Sequence, residues 1–336
     1  MLTEAQRARW LSLTTEDVLE PDLIICDAHH HLWDYPHNRY LFNEASKDFT
    51  GGHYIAKTVY VECHQHYRHS GDKDFLPVGE TEHIHKITAA SHCESMRCNM
   101  AAGIVSFANL CLGQSVKPIL ESHIKTSSRF KGIRYAIACH NSDQIRDSHT
   151  NPPPKLLSND KFLEGFSELE KLDLTFDAWL YHTQLDELVL LAREFPTTKI
   201  VLNHLGCPLG IGPYKNSRSD VFADWKSKIS ALARCENIYV KLGGLNMSMA
   251  GFDWQKRPSP PDSKELTGAI EPYFDKCVDL FGASRCMLES NFPVDRVAGN
   301  YTVLWNAFKR ATEKYSQSER ESLFYKTAVE FYGLTN

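Results

Sequence analysis

Several features are scarce or absent in this 336-residue chain, and each absence removes a class of function. Basic residues are not in excess: 37 Lys and Arg stand against 42 Asp and Glu, a formal charge of -5. A surface with that balance has no cationic field to gather a phosphate backbone, so nucleic acid is excluded as a partner. No apolar run approaches the roughly 20 residues needed to cross a bilayer, which excludes a spanning helix. The first residues, MLTEAQRARWLSL, lack the continuous apolar segment of a secretory leader and suit a short amphipathic helix; the expectation is a cytoplasmic protein with no membrane partner. The 10 cysteines include no CxxC pair and sit singly in apolar runs such as VYVEC and SFANLCL, the pattern of buried reduced thiols rather than of disulfides or a zinc ribbon. No GxGxxG follows the first strand, which argues against an open dinucleotide-binding sheet. Repeats and low-complexity tracts are also missing.

What is present is an alternation of short β-rich apolar runs with longer segments of helical period. Strands are predicted at Leu23 to His29, Lys57 to Cys63, Ala102 to Ala108, Gly132 to Ile137, Leu174 to Tyr181, Ile200 to Asn203, Ile238 to Leu242 and Cys286 to Glu289. Between and after them, segments such as GETEHIHKITAASHCESM, DKFLEGFSELEKL, TGAIEPYFDKCVDLF and NYTVLWNAFKRATEKY repeat apolar residues every three or four positions, as one-sided burial requires. Eight such units predict an α/β fold, a single-domain (β/α)8 TIM barrel over residues 23–336. Residues 1–22 form a helical N-terminal extension, and further helices follow the last strand. In that architecture chemistry sits at the C-terminal ends of the strands.

The strand ends carry ionisable groups. In CDAHHHLWD, His29 and His31 are two apart and point the same way in extended backbone, while His30 points opposite. The second strand ends in Glu62, with His64 following; the fourth carries Arg134, the fifth leads to His182, the sixth to His204, and the seventh presents Lys241. Tipping apolar strands with charge is costly unless the groups face water or a ligand. A shared site at the barrel mouth or a wet rim of strand caps both satisfy that requirement. Trp33, Tyr35 and Tyr40, after the first strand, are available as walls for a ring-shaped ligand or as packing against the rim. The glycines of GGLNM and GCPLGIGPY allow tight loops, and TNPPPKLL is a proline-rich loop long enough to cover the mouth.

Taken together, DAHHHLWD, FKGIRY, YHTQL, IVLNHLGCPLG, VKLGGL and MLESNFPVD resemble, in order and spacing, the lactonase-type branch of the amidohydrolase superfamily, from about residue 24 to 335. The resemblance implies a TIM-barrel hydrolase. It matches His29 and His31 to the HxH of strand one, His182 and His204 to the histidines of strands five and six, and Arg134 to an arginine that holds a substrate carboxylate or carbonyl. It implies either one divalent metal ion, zinc in the superfamily at large, on His29, His31 and His182, or a metal-free pocket lined by the same residues.

At strand eight the chain departs from the pattern, reading SNFP where the family usually has SDWP, so Asn291 stands at the aspartate's place. A carboxamide is neither a base near neutral pH nor a good metal ligand. Two carboxylates are near enough to compensate: Glu289, two residues earlier on the same face, and Asp295, four residues later in the loop. Glu289 is equally suited to a buried ion pair with Lys241 or Arg134.

The expected function is hydrolysis of a small carbonyl compound, foremost a lactone carrying a carboxylate or several hydroxyls. His182, Arg134, His29 and His31 would stabilise the carbonyl oxygen, and Glu289 or Asp295 would activate water. Glu62, Lys241, Trp33 and His204 are further candidates for substrate contact. The alternatives are decarboxylation, C–N hydrolysis, or a binding barrel that has lost its base. The expected partner is a small-molecule substrate; a homo-oligomer is compatible with the sequence, and no residue in it decides the symmetry.

Overall fold

The computed structural model describes residues 3–36, 38–89 and 97–334. Eight parallel strands form one sheet in chain order: β1 (Ile24–His30), β2 (Tyr54–Val61), β3 (Asn99–Ser106), β4 (Phe130–Ala136), β5 (Thr175–Trp179), β6 (Ile200–Leu202), β7 (Ile238–Leu242) and β8 (Cys286–Leu288). The ring closes just beyond β8, where His30 bridges Phe292, Asn291 N–H donates to the His29 carbonyl at 2.9 Å and His31 N–H donates to the Phe292 carbonyl at 2.8 Å. That seam brings the HxH segment beside the SNFP segment, 260 residues apart in the chain.

The expected (β/α)8 barrel is therefore present, with strand limits within three residues of those read from the sequence. β5 stops at Trp179, two residues short of the predicted Tyr181. The helix expected over residues 79–96 runs from Val78 to Ile87, and residues 90–96 lie outside the described part.

The helices follow from their apolar spacing. In Asp160–Lys171, Phe162, Phe166 and Leu169 are buried on one face, with Phe162 and Phe166 edge-on to Phe176 of β5, while Asn159 caps the start by accepting the Phe162 N–H at 3.1 Å. Each fully buried ring contributes about 1.5–3 kcal/mol. Below the mouth the barrel is filled by Cys26, Ala28, Val59, Val61, Val105, Val201 and Met287, and the C-terminal helix Thr327–Phe331 with Tyr332 joins this cluster. A register irregularity in β1 between Asp27 and His30 re-aims the side chains above that layer. As a result His30 leaves the barrel to meet Thr58 Oγ1 at 2.8 Å and Phe49 edge-on.

The N-terminal extension forms a helix, Glu4–Leu11, and is tied across the barrel by Trp10 Nε1 to the Arg257 carbonyl and Leu19 N–H to Asn306 Oδ1. None of the described cysteines is in a disulfide, and most are buried. Among the described residues no helix is long and apolar enough to cross a membrane.

Candidate active site

His29 is fully buried at the centre of the mouth. Its Nε2 is 3.2 Å from His31 Nε2, its Nδ1 is 3.0 Å from Glu289 Oε2 and 3.3 Å from Lys241 Nζ, and its ring lies 4.7 Å from that of His204. Burial, followed by the cations around it, holds the His29 imidazole well below the usual histidine range, so the ring is neutral at physiological pH. His31 is held down likewise, chiefly by burial and then by Arg134, and its Nδ1–H donates to the Val61 carbonyl at 2.8 Å.

Glu289 grips His204 twice: Oε1 accepts the ring Nδ1–H at 2.7 Å and the backbone N–H at 3.1 Å. The tautomer that donates from Nδ1 carries its lone pair on Nε2, and His204 lines the cavity described below. The backbone here is unusual, since His204, Leu205 and Cys207 all have positive φ, a cost accepted where the surrounding structure fixes the conformation. Two glycines of β7's end make the fit. A Cβ on Gly243 would meet Glu289 Cγ at 2.4 Å, and one on Gly244, itself at φ 69°, would meet the His204 ring at 2.5 Å. The VKLGGL glycines therefore act as space for the His–Glu pair, beyond the loop role read from the sequence.

Lys241, a candidate for substrate contact, is placed as an internal strut. Fully buried, it donates to Asp177 Oδ2 at 2.6 Å, and Asp177 also accepts from Tyr332 Oη at 2.9 and 3.0 Å and from Asn203 Nδ2 at 2.9 Å. Glu289 thus pairs with histidines, and neither Lys241 nor Arg134 is its partner. Arg134 belongs to Glu62, whose Oε1 accepts from Nε at 2.7 Å and whose carbonyl accepts from a terminal guanidinium nitrogen. Burial alone would raise the Glu62 carboxyl, but Arg134 and then His149, 3.4 Å from Oε2, outweigh it and hold Glu62 well below the usual carboxylate range.

A cavity of about 440 Å³ opens above these groups, lined by His31, Trp33, Tyr35, Arg134, Trp179 and His204 among others. Trp33 stacks on His31 with ring centroids 5.5 Å apart. Asn291 also lines it; its Nδ2 donates to Asp295 Oδ1 at 2.8 Å, and its Oδ1 has no hydrogen-bond partner among the described residues. Asp295 itself is buried behind Asn291, and burial holds its carboxyl well above the usual range. Tyr40 is buried on Asp48 and is not among the cavity's lining residues.

His182 does not join the cluster. Its Nδ1 accepts the Leu209 N–H at 3.3 Å, its Nε2 is 3.9 Å from Asp224, and its ring meets Tyr214 edge-on. Alternation explains this: in β5 the side chains of Asp177 and Trp179 face the barrel interior, and after Trp179 the chain leaves the strand, so His182 opens a 3-10 turn outside the mouth. Trp179 takes the mouth position that the sequence reading gave to His182. Asp177, Trp179, Tyr332 and His149 were missed; a charged residue inside the apolar run TFDAW was the available signal for the first.

The donor set at the mouth has the spacing of a divalent-ion site. Nε2 of His29 and Nε2 of His31 are 3.2 Å apart, close to the roughly 3.4 Å between neighbouring ligands of a tetrahedral ion with bonds of about 2.0–2.1 Å. If His29 keeps its proton on Nδ1, toward Glu289, both facing nitrogens are lone pairs and suit a cation; if the proton is on Nε2, it bonds His31 and Lys241 bonds Nδ1. His29, His204 and Glu289 also bring donor atoms within 4.8 Å of one another. The residues fit such an ion, and His182 is not one of them.

Residues 26–334 match the family model described as amidohydrolase. An uncharacterized protein of Sinorhizobium fredii is 31% identical over 325 residues, covering 93% of this chain and 99% of the relative. The L-fucono-1,5-lactonase of Burkholderia ambifaria is 26% identical over 286 residues, 82% of each chain. Among solved structures, a Burkholderia multivorans amidohydrolase with bound zinc superposes with a TM-score of 0.71 at 20% identity, covering 93% of this chain and 100% of that one.

Proposed function

This chain belongs to the amidohydrolase family, and from that premise we propose that it hydrolyses the ring ester of a small, polyhydroxylated lactone. The observation that carries the reading is the His204–Glu289 pair at a cavity that also presents Arg134 and three aromatic walls. The lactonase relative supports the substrate class.

In the proposed reaction His204 Nε2 takes a proton from water as its oxygen adds to the lactone carbonyl, and Glu289 stabilises the imidazolium that forms. Charge building on the carbonyl oxygen is met by the guanidinium of Arg134, which Glu62 holds in place before the substrate arrives. The imidazolium then returns its proton to the ring oxygen as the C–O bond breaks, leaving an open-chain hydroxy acid. Trp33, Tyr35 and Trp179 would hold the sugar-like ring, and Asn291 Oδ1 would accept from one of its hydroxyls. A divalent ion, where bound, would sit on His29 and His31 and supply Lewis acidity toward the carbonyl; the zinc of the B. multivorans structure supports that option.

The test is His204→Gln assayed on fucono-, galactono- and rhamnonolactones. Turnover is expected to fall about 10²- to 10⁴-fold, the scale of a lost acid–base group. Wild-type turnover in that variant removes His204 as the base, and absence of lactonase activity in the wild type across the panel removes the lactone reading.

A further inference from the structure

Beside the cavity just described lies a second, of about 330 Å³, whose lining includes His64, Tyr67, Phe107, Tyr135 and His149. His64 and His149 line both, so the two cavities adjoin at a pair of imidazoles, 5.7 Å apart by ring centroid. His149 is anchored through its Nε2 to Glu62 Oε2 at 3.4 Å, the same carboxylate that fixes Arg134, and His64 stacks on Tyr67 with centroids 4.6 Å apart. The second cavity is therefore built onto the clamp that positions Arg134.

Its lining has a distinct chemistry. Tyr67, Phe107 and Tyr135 supply aromatic surface, the last two tilted against each other at 5.2 Å. Around them stand one ammonium (Lys73), one carboxylate (Asp74), one amide (Asn109) and one hydroxyl (Thr150). Opposite charges leave no net field to select an anion or a cation. Aromatic faces ringed by mixed donors and acceptors suit an uncharged hydroxylated ring, with C–H surface on the aromatics and hydroxyls on the polar groups. Each cavity alone is in the range of about 300–1,000 Å³ typical of ligand sites.

We propose that the second cavity is a subsite for a further sugar ring, so that the preferred substrate is a two-ring lactone: an aldonolactone bearing a glycosyl substituent, with the lactone beside His204 and the glycosyl ring against Phe107 and Tyr67. This deepens the lactonase reading and rests on it for the chemistry, but the subsite can be measured separately.

The experiment compares cellobiono-1,5-lactone with D-glucono-1,5-lactone, which share the lactone ring, after subtracting spontaneous hydrolysis. It also compares binding of the two product acids, cellobionate and gluconate, by calorimetry. Wild-type kcat/KM is expected to be at least tenfold higher for the two-ring lactone. Phe107→Ala is expected to erase that preference while leaving gluconolactone turnover unchanged, and Asp74→Trp, which fills the cavity from its rim, to do the same should Phe107→Ala fold poorly. Equal or lower kcat/KM for the two-ring substrate overturns the proposal. Should neither lactone be turned over, tighter binding of cellobionate by tenfold or more, lost in Asp74→Trp, sustains the subsite while the hydrolytic reading fails; equal binding or none overturns the subsite.

Discussion

The Lys241–Asp177 pair offers the sharpest quantitative test of how the site is held. Both side chains are fully buried at 2.6 Å, so screening is minimal and each charge depends on the other. Lys241→Met leaves Asp177 with Tyr332 and Asn203 as donors among the described residues, and the expected loss is about 3 kcal/mol, the lower end for breaking a buried pair because those two donors remain. Asp177→Asn leaves the ammonium with amide and imidazole partners but no counter-charge, at a similar cost of about 3 kcal/mol. In the double variant neither charge survives, and the deficit should stay near that of one single change, a coupling of roughly 3 kcal/mol. Urea unfolding followed by circular dichroism and by tryptophan fluorescence measures all four proteins. Single effects that add to within about 0.5 kcal/mol would refute the pairing. The same Lys241→Met variant loses the donor to His29 Nδ1 and is expected to favour the proton facing Glu289, so zinc titrated by calorimetry should bind it more tightly than the wild type.

Three further outcomes follow from specific contacts. Gly244→Ala places a methyl 2.5 Å from the His204 ring at a backbone position with φ 69°, so lactone kcat should fall at least tenfold with the unfolding midpoint lowered; an unchanged kcat would show that His204 has room to move. Asn291→Asp sets a carboxylate against Asp295, 2.8 Å from the present donor, and should lower stability unless a divalent ion is added; stabilisation in metal-free buffer would contradict the contact. His123 is buried between Thr81 and the Phe107 carbonyl, and burial lowers its imidazole to about 4. From pH 6.5 down to about 4 the unfolded chain takes up a proton there that the folded chain does not, so stability falls with falling pH, by at most about 1.4 kcal/mol per unit. His123→Gln should lessen the slope in that window by one group's share, the other buried histidines keeping theirs, and an unaltered slope would show that His123 titrates normally.

Legibility followed the physics of each element. Strand β7, Ile238–Leu242, is where its apolar run placed it, because a buried parallel strand is written as a continuous apolar segment. The opposite facing of His29 and His30 was equally legible, since neighbours alternate, but that His29 is the one turned inward depends on the register irregularity of β1. His182 was not: it comes three residues after the last strand residue, where alternation no longer holds, and the length of β5 is set by pairing with β4 and β6 rather than by its own sequence. The glycines beside His204 and Glu289 were visible as glycines, but the atoms they make room for lie on other strands.

By itself the sequence determined the eight βα units, the slightly acidic charge balance, the lack of an apolar run long enough for a spanning helix, and the set of histidines and carboxylates at strand ends, all properties of spacing and composition. Only the tertiary structure decided the partners: Glu289 with His204 and His29, Lys241 with Asp177, Glu62 with Arg134 and His149, and His182 apart from them all. A buried charge must be matched within a few ångströms, and which groups come that close depends on barrel closure and strand register, which no local stretch of chain encodes.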